Sequence, residues 1–124
     1  MEYLTVDGEA TATYEIQRSV FICSVKGIET YEEGVVYYKA VAKKYSDAAH
    51  NCYAIVCRDG QQKFFDDGEP QGTAGMPILQ VLKKSNLSNV VAVVTRYFGG
   101  IKLGAGGLVA VVGGVGIFFR HRFV

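Results

Sequence analysis

One stretch constrains the fold more than any other: Val90-Val-Ala-Val-Val94, five consecutive apolar residues, four of them β-branched. A run this short and this uniformly apolar can only be a buried strand. It leads into Arg96-Tyr-Phe-Gly-Gly-Ile-Lys-Leu-Gly-Ala-Gly-Gly-Leu-Val109, which places Gly99, Gly100, Gly104, Gly106 and Gly107 around Arg96 and Lys102. Glycine lacks a Cβ, so such a loop can turn sharply and let another surface approach its amides. Amides beside two cations suit a phosphate, a carboxylate or an acidic partner. The competing reading is that the glycines only allow tight turns and close packing of strand on helix, and the sequence leaves both open. Standard nucleotide motifs are not matched. Lys102 is followed by Leu103 instead of Ser or Thr, and Gly104-Ala-Gly106-Gly107 supplies only the first half of G-x-G-x-x-G.

With 124 residues the chain is sized for one domain and one core, and 49% hydrophobic residues argue for a globular fold rich in strand. Its formal net charge of +1 provides no global attraction to nucleic acid, so any such binding needs a local patch. Met1-Glu-Tyr-Leu-Thr has neither the basic region nor the apolar run of a secretory signal, and no apolar run is long enough to span a membrane. A cytoplasmic protein without membrane association is expected. Cys23, Cys52 and Cys57 form an odd set without C-x-x-C spacing, and Cys52 and Cys57, on one strand, would point to opposite faces. Buried free thiols are the expectation, with no metal site and no cofactor.

Alternating patterns predict strands over Thr11–Gln17 and Ser19–Val25. Thr30-Tyr-Glu-Glu33 has the form of a capping box opening a helix that runs to about Tyr45. Tyr31, Val35, Tyr38, Ala42 and Tyr45 would form its core stripe, with Gly34 a blemish in the first turn. Asp59-Gly60 marks a hairpin between strands Asn51–Arg58 and Gln61–Phe65. A second helix is expected from Pro77 to about Lys84, buried through Ile78, Leu79 and Leu82.

Between that hairpin and that helix lies the acidic, glycine-rich loop Asp66-Asp-Gly-Glu-Pro-Gln-Gly-Thr-Ala-Gly75. Asp66, Asp67 and Glu69 suit N-terminal capping of the helix, although magnesium binding or acid–base work would use the same residue types. His50-Asn51 precedes a strand, where a histidine is commonly a hydrogen-bonded turn residue. His50, Asn51, Asp66, Asp67, Glu69 and Thr73 are candidates to line a site with the Arg96–Lys102 loop, either as an ion-pair network or as a binding surface. Arg96, Tyr97 and Lys102 with the five glycines are the candidate anion or partner contacts. No residue is assigned a catalytic role.

His50-Asn-Cys-Tyr53, Asp66-Asp-Gly-Glu-Pro70, Gly72-Thr-Ala-Gly75, Pro77-Ile-Leu79 and Val94 through Val109, in this order, resemble the IMPACT/YigZ family. The resemblance covers roughly residues 1–109, the family's N-terminal domain, and leaves 110–124 as an atypical tail. It implies an α+β two-layer sandwich: one mainly antiparallel sheet with two or more helices on one face, like domain 2 of a small-subunit ribosomal protein and domain IV of elongation factor G. It also implies a translation-regulator-type domain that binds a protein partner, a ribosome or RNA without catalysis. The eukaryotic members regulate translation by binding an activator of an amino-acid-starvation kinase. An enzyme acting on a phosphorylated or anionic small molecule, and a pure protein-interaction module, are the alternatives. Val20 and Phe65 depart from the family pattern, as does Ala110-Val-Val-Gly-Gly-Val-Gly-Ile-Phe-Phe119, which replaces an amphipathic helix opened by Arg-Ala-Tyr. Bacterial relatives add a ferredoxin-like domain that this sequence does not contain, so the tail reads like a truncated or frame-shifted end. Its apolar residues predict self-association into a homo-oligomer.

Overall fold

The computed structural model describes residues 2–16, 18–97 and 119–123. In chain order the elements are β1 (Glu2–Val6), β2 (Glu9–Ile16), β3 (Ser19–Gly27), α1 (Tyr31–Lys44), β4 (His50–Val56), β5 (Gln62–Phe65), α2 (Gly75–Lys84), β6 (Val90–Tyr97) and β7 (Phe119–Phe123). Five strands form one antiparallel sheet in the order β2-β3-β6-β4-β5. The apolar run thus becomes the middle strand, and Val90, Val91, Ala92, Val93 and Val94 are at most 1% exposed.

Both faces of this sheet are covered, by different helices. Register aligns Cys23, Val94 and Cys52 across three neighbouring strands, with Ser24, Val93 and Tyr53 one step along and therefore on the reverse side. Val90, Ala92 and Val94 pack with Phe21, Cys23 and Val25 beneath Ile78, Leu79 and Leu82 of α2. Val91 and Val93 pack with Tyr53 and Ile55 beneath Tyr37 and Val41 of α1. The α+β class and the antiparallel sheet agree with expectation, but the two described helices do not share a face. The reason lies in β4 and β6, which are apolar at consecutive positions. A single helical layer would leave one side of each strand in water, at a cost of about 1.5–3 kcal/mol per exposed Val or Ile. The same alternation separates the thiols, with Cys52 on the α2 side and Cys57 on the α1 side. All three cysteines are free and buried, and burial alone raises the Cys23 thiol to about 12.

Helix α1 begins where the capping box places it. The Glu33 amide donates to Thr30 Oγ1 at 3.2 Å, while the Glu33 carboxylate reaches past Thr30 and accepts from the Glu29 amide at 2.8 Å. Its most buried line is Gly34, Tyr37 and Val41, and the expected stripe of Tyr31, Val35, Tyr38, Ala42 and Tyr45 is half-buried beside it. Gly34 explains this rotation, because a Cβ there would stand 2.9 Å from Ile55 Cδ1 and 3.2 Å from Ile28 Cδ1. What looked like a blemish is the point of closest approach between α1 and the sheet.

Two elements were not legible in the sequence. Strand β1 pairs antiparallel with β7, joining Glu2–Val6 to Phe119–Phe123. Strand β1 also hydrogen-bonds through Leu4 O to the Ser88 amide at 2.9 Å, which ties it to the loop before β6.

Gly34→Ala gains about 1 kcal/mol of helix propensity. The added methyl nevertheless has to displace two buried isoleucines, and overpacking costs about 1–3 kcal/mol. Thermal melting is expected to show a lower Tm for Gly34→Ala than for the parent, and a raised Tm would mean that α1 can slide away from β4.

Candidate functional site

The site is built where β4 begins and β6 ends. In that pairing His50 lies opposite Arg96, and Asn51 opposite Thr95. Backbone alternation sends the two pairs to opposite faces of the sheet. On one face Thr95 Oγ1 donates to Asn51 Oδ1 at 2.6 Å, and Asn51 Nδ2 donates to the Tyr45 carbonyl at 3.1 Å. This holds the end of α1 against the sheet. On the other face the Arg96 guanidinium lies over the Phe21 ring, 5.5 Å from its centroid.

The acidic loop folds onto this corner around Asp66. Helix α2 has no side-chain cap of its own at Ala74. Its first amides are taken instead by Asp66 Oδ1, from Gly75 at 2.8 Å and Ala74 at 3.2 Å, while Oδ2 accepts from the Gly72 amide at 3.0 Å. Burial opposes ionisation of this carboxyl, but the amides of Gly72, Gly75 and Ala74 outweigh it and hold the carboxyl below its ordinary value of 3.8. Gly75 is required at the junction, since a Cβ there would stand 2.6 Å from the Phe65 amide nitrogen. Thr73 closes the loop internally, donating from Oγ1 to the Pro70 carbonyl at 2.5 Å.

Asp67 and Glu69 then bind the loop to the strands. Asp67 has φ +47° and accepts the Asn51 amide on Oδ2 at 2.7 Å. Its carbonyl lies 2.6 Å from His50 Nδ1, which places the imidazole proton on that nitrogen when the ring is neutral. Glu69 Oε1 takes the Arg96 guanidinium at 2.8 Å and lies 3.8 Å from His50 Nε2. The Cys52 thiol donates to the Asp66 carbonyl at 3.1 Å; burial, then the charges of Glu69, Asp67 and Asp66, raise its pKa above the ordinary thiol value. A thiol held protonated in this way is a poor nucleophile.

Six of the residues selected from sequence therefore meet: His50, Asn51, Asp66, Asp67, Glu69 and Arg96. Thr73 belongs to the same loop but bonds within it. Tyr97 turns away, and its hydroxyl donates to Asp47 Oδ1 at 2.7 Å. Gly99, Gly100, Lys102, Gly104, Gly106 and Gly107 lie outside the described residues. Arg96 is a candidate anion or partner contact in the sequence, which would call for an accessible side chain. Instead it is only 3% exposed, because Phe21 and Glu69 enclose it. Sequence reading missed Thr95, Cys52 and Asp47 as partners. Thr95 carried the one available signal, a polar residue directly after an apolar strand.

The family model for the Impact N-terminal domain matches residues 17–116. The chain is 48% identical over 113 residues to the IMPACT family member YvyE of Bacillus subtilis, covering 90% of this chain and 52% of that protein. It is 44% identical over 108 residues to YigZ of Escherichia coli, covering 84% of this chain and 53% of that protein. The chain thus spans about half the length of these curated relatives. A crystal structure of a hypothetical protein superposes with TM-score 0.84 at 35% identity, over 98% of this chain and 64% of that one. The two-domain translational regulator Yih1 superposes with TM-score 0.51 at 24% identity, over 78% of this chain and 38% of that one, a likeness of fold.

Asp66→Asn is expected to lower stability by about 1–2 kcal/mol, because a charged cap is exchanged for a neutral one. The sign of the pH effect follows from the lowered pKa: the stabilisation is present above 3.8 and is lost as pH falls through the folded-state value. Melting curves of parent and variant should converge below that pH, and a constant difference would contradict the assignment. Arg96→Ala leaves the Glu69 carboxylate without its guanidinium partner and is expected to cost roughly 3 kcal/mol. Adding Glu69→Ala should cost less than the sum of the two single changes.

Proposed function

Because this chain belongs to the Impact N-terminal domain family, we propose that it is a translation-regulator-type domain that binds a protein partner, a ribosome or RNA without catalysing a reaction. The observation that carries this reading is the engagement of the acidic loop. Asp66 is held by three amides, Asp67 by the Asn51 amide and Glu69 by Arg96. General acid–base work needs a carboxyl or imidazole within reach of substrate and able to exchange its proton. Carboxylates held by backbone amides and by a buried guanidinium instead make a rigid frame.

That frame stands where β6 leaves the sheet and the glycine-rich segment begins. The proposed contact surface is this segment, with Lys102 as its cation and Gly99, Gly100, Gly104, Gly106 and Gly107 as residues whose lack of a Cβ permits close approach. Arg96 serves it by fixing the strand end. The fold likeness to Yih1, itself a translational regulator, supports this reading.

Lys102→Ala separates binding from folding. It should leave the Tm unchanged, weaken co-sedimentation with ribosomes or RNA, and reduce the slope of log affinity against log salt by about one unit for one lost phosphate contact. Arg96→Ala should lower the Tm in the same assays. Unchanged co-sedimentation by a folded Lys102→Ala protein, at every salt concentration, would remove the glycine-rich segment from the interface. Loss that persists only in ribonuclease-free samples would identify RNA as the ligand, and loss that ribonuclease does not affect would identify a protein.

A further inference from the structure

A second surface, independent of the strand-end site, lies along β5. Among the described residues this strand pairs with β4 alone, which makes it an edge of the sheet, and all four of its residues are exposed. Phe64 and Phe65 are 37% and 40% exposed. Edge strands in monomeric proteins are usually blunted by charge, proline or a bulge, because their free N–H and C=O groups invite another strand. The opposite edge, β2, carries Glu9 and Glu15 with Thr11 and Thr13. Strand β5 carries a single charge, Lys63, beside two phenylalanines, and helix α2 runs beside it.

A groove of about 420 Å³ separates β5 from α2. Phe64, Met76 and Leu79 form its apolar lining, Lys63 and Lys83 stand in its walls, and no carboxylate lines it. A strand edge on one side, a helix on the other and an apolar floor are the elements of strand addition. In that mode main-chain hydrogen bonds supply affinity and alternate side chains fill the groove. The charge decides between occupants. A second copy of this chain would bring its own Lys63 and Lys83 to lysines already present, and like charges facing one another across strands are destabilising. An extended segment with carboxylates flanking its apolar residues meets both lysines with opposite charge.

We propose that the β5–α2 groove is a docking site for an extended acidic peptide of another protein, which adds as a sixth strand beyond β5 with alternate aliphatic side chains against Phe64, Met76 and Leu79.

The probes are two synthetic peptides of alternating valine, one with glutamate and one with lysine between, titrated into the isotope-labelled chain. The glutamate peptide should shift the amide resonances of Gln62–Phe65 and of Met76–Lys83 and slow amide exchange in β5. The lysine peptide should bind at least about tenfold more weakly. Lys63→Glu with Lys83→Glu changes two exposed side chains, so the fold should persist, and the preference between the peptides should invert. A glutamate peptide carrying proline at its centre should lose binding, because it cannot complete the ladder. Equal binding of both peptides, shifts confined to residues outside the groove, no binding at millimolar peptide, or a concentration-dependent dimer that protects β5 without any peptide would each overturn the proposal.

Discussion

The described structure depends on β6 being apolar on both faces. A strand with one polar face can float on a single core, but Val90–Val94 cannot. It has to lie in the middle of a sheet, with a pairing partner on each side and a packed layer above and below. Strands β3 and β4 supply the partners, and α1 and α2 supply the layers. Each buried valine contributes about 1.5–3 kcal/mol relative to exposure, so any arrangement leaving one face open forfeits several such terms at once. The polar chemistry of the site sits at the end of this strand, where Thr95 and Arg96 interrupt the apolar sequence. Position along a rigid central strand is what gives those two residues fixed directions.

A single carboxylate then organises the loop that faces them. Helix α2 opens without a capping side chain at its own N-cap, and Asp66 takes the orphan amides from a distance in sequence. That closure folds the loop back, so that Glu69 and Asp67 arrive over β4 and β6. Arg96 is in turn tolerable in a buried position because Glu69 neutralises it and Phe21 offers its ring face. Capping, ion pair and strand register meet at one corner.

Phe65 packs in two directions. Its ring meets Tyr38 edge-on at 6.0 Å and Tyr53 at 5.7 Å, joining the two into an aromatic group beside α1. Its backbone meanwhile lies so close to Gly75 that only glycine fits there. Side chain and main chain of one residue thus pack against elements on different sides of the edge strand. This position also brings β5 and α2 close enough to form a groove.

Much of this was legible locally. The central strand, the Thr30 cap, the Asp59-Gly60 hairpin and the buried thiols each follow from neighbours within a few residues, where sterics and local hydrogen bonds act. The cluster of His50, Asn51 and the acidic loop was legible as a set of candidates, but not its bonding. Which carboxylate caps was decided by a loop that closes over 6 to 9 positions, and which one pairs with Arg96 by residues 27 positions apart. The division of the helices between two faces was equally hidden, because a continuous apolar run marks a strand as buried without saying which helix covers which side. The pairing of β1 with β7 joins the two ends of the chain, and no local pattern encodes a partner at that separation. The sequence by itself determined the class of fold and the identity of its central strand, since both rest on burial of apolar area. Tertiary structure alone decided the corner that Asp66, Glu69 and Arg96 build, since hydrogen bonds and ion pairs act only between groups that packing has already brought within about 3 Å.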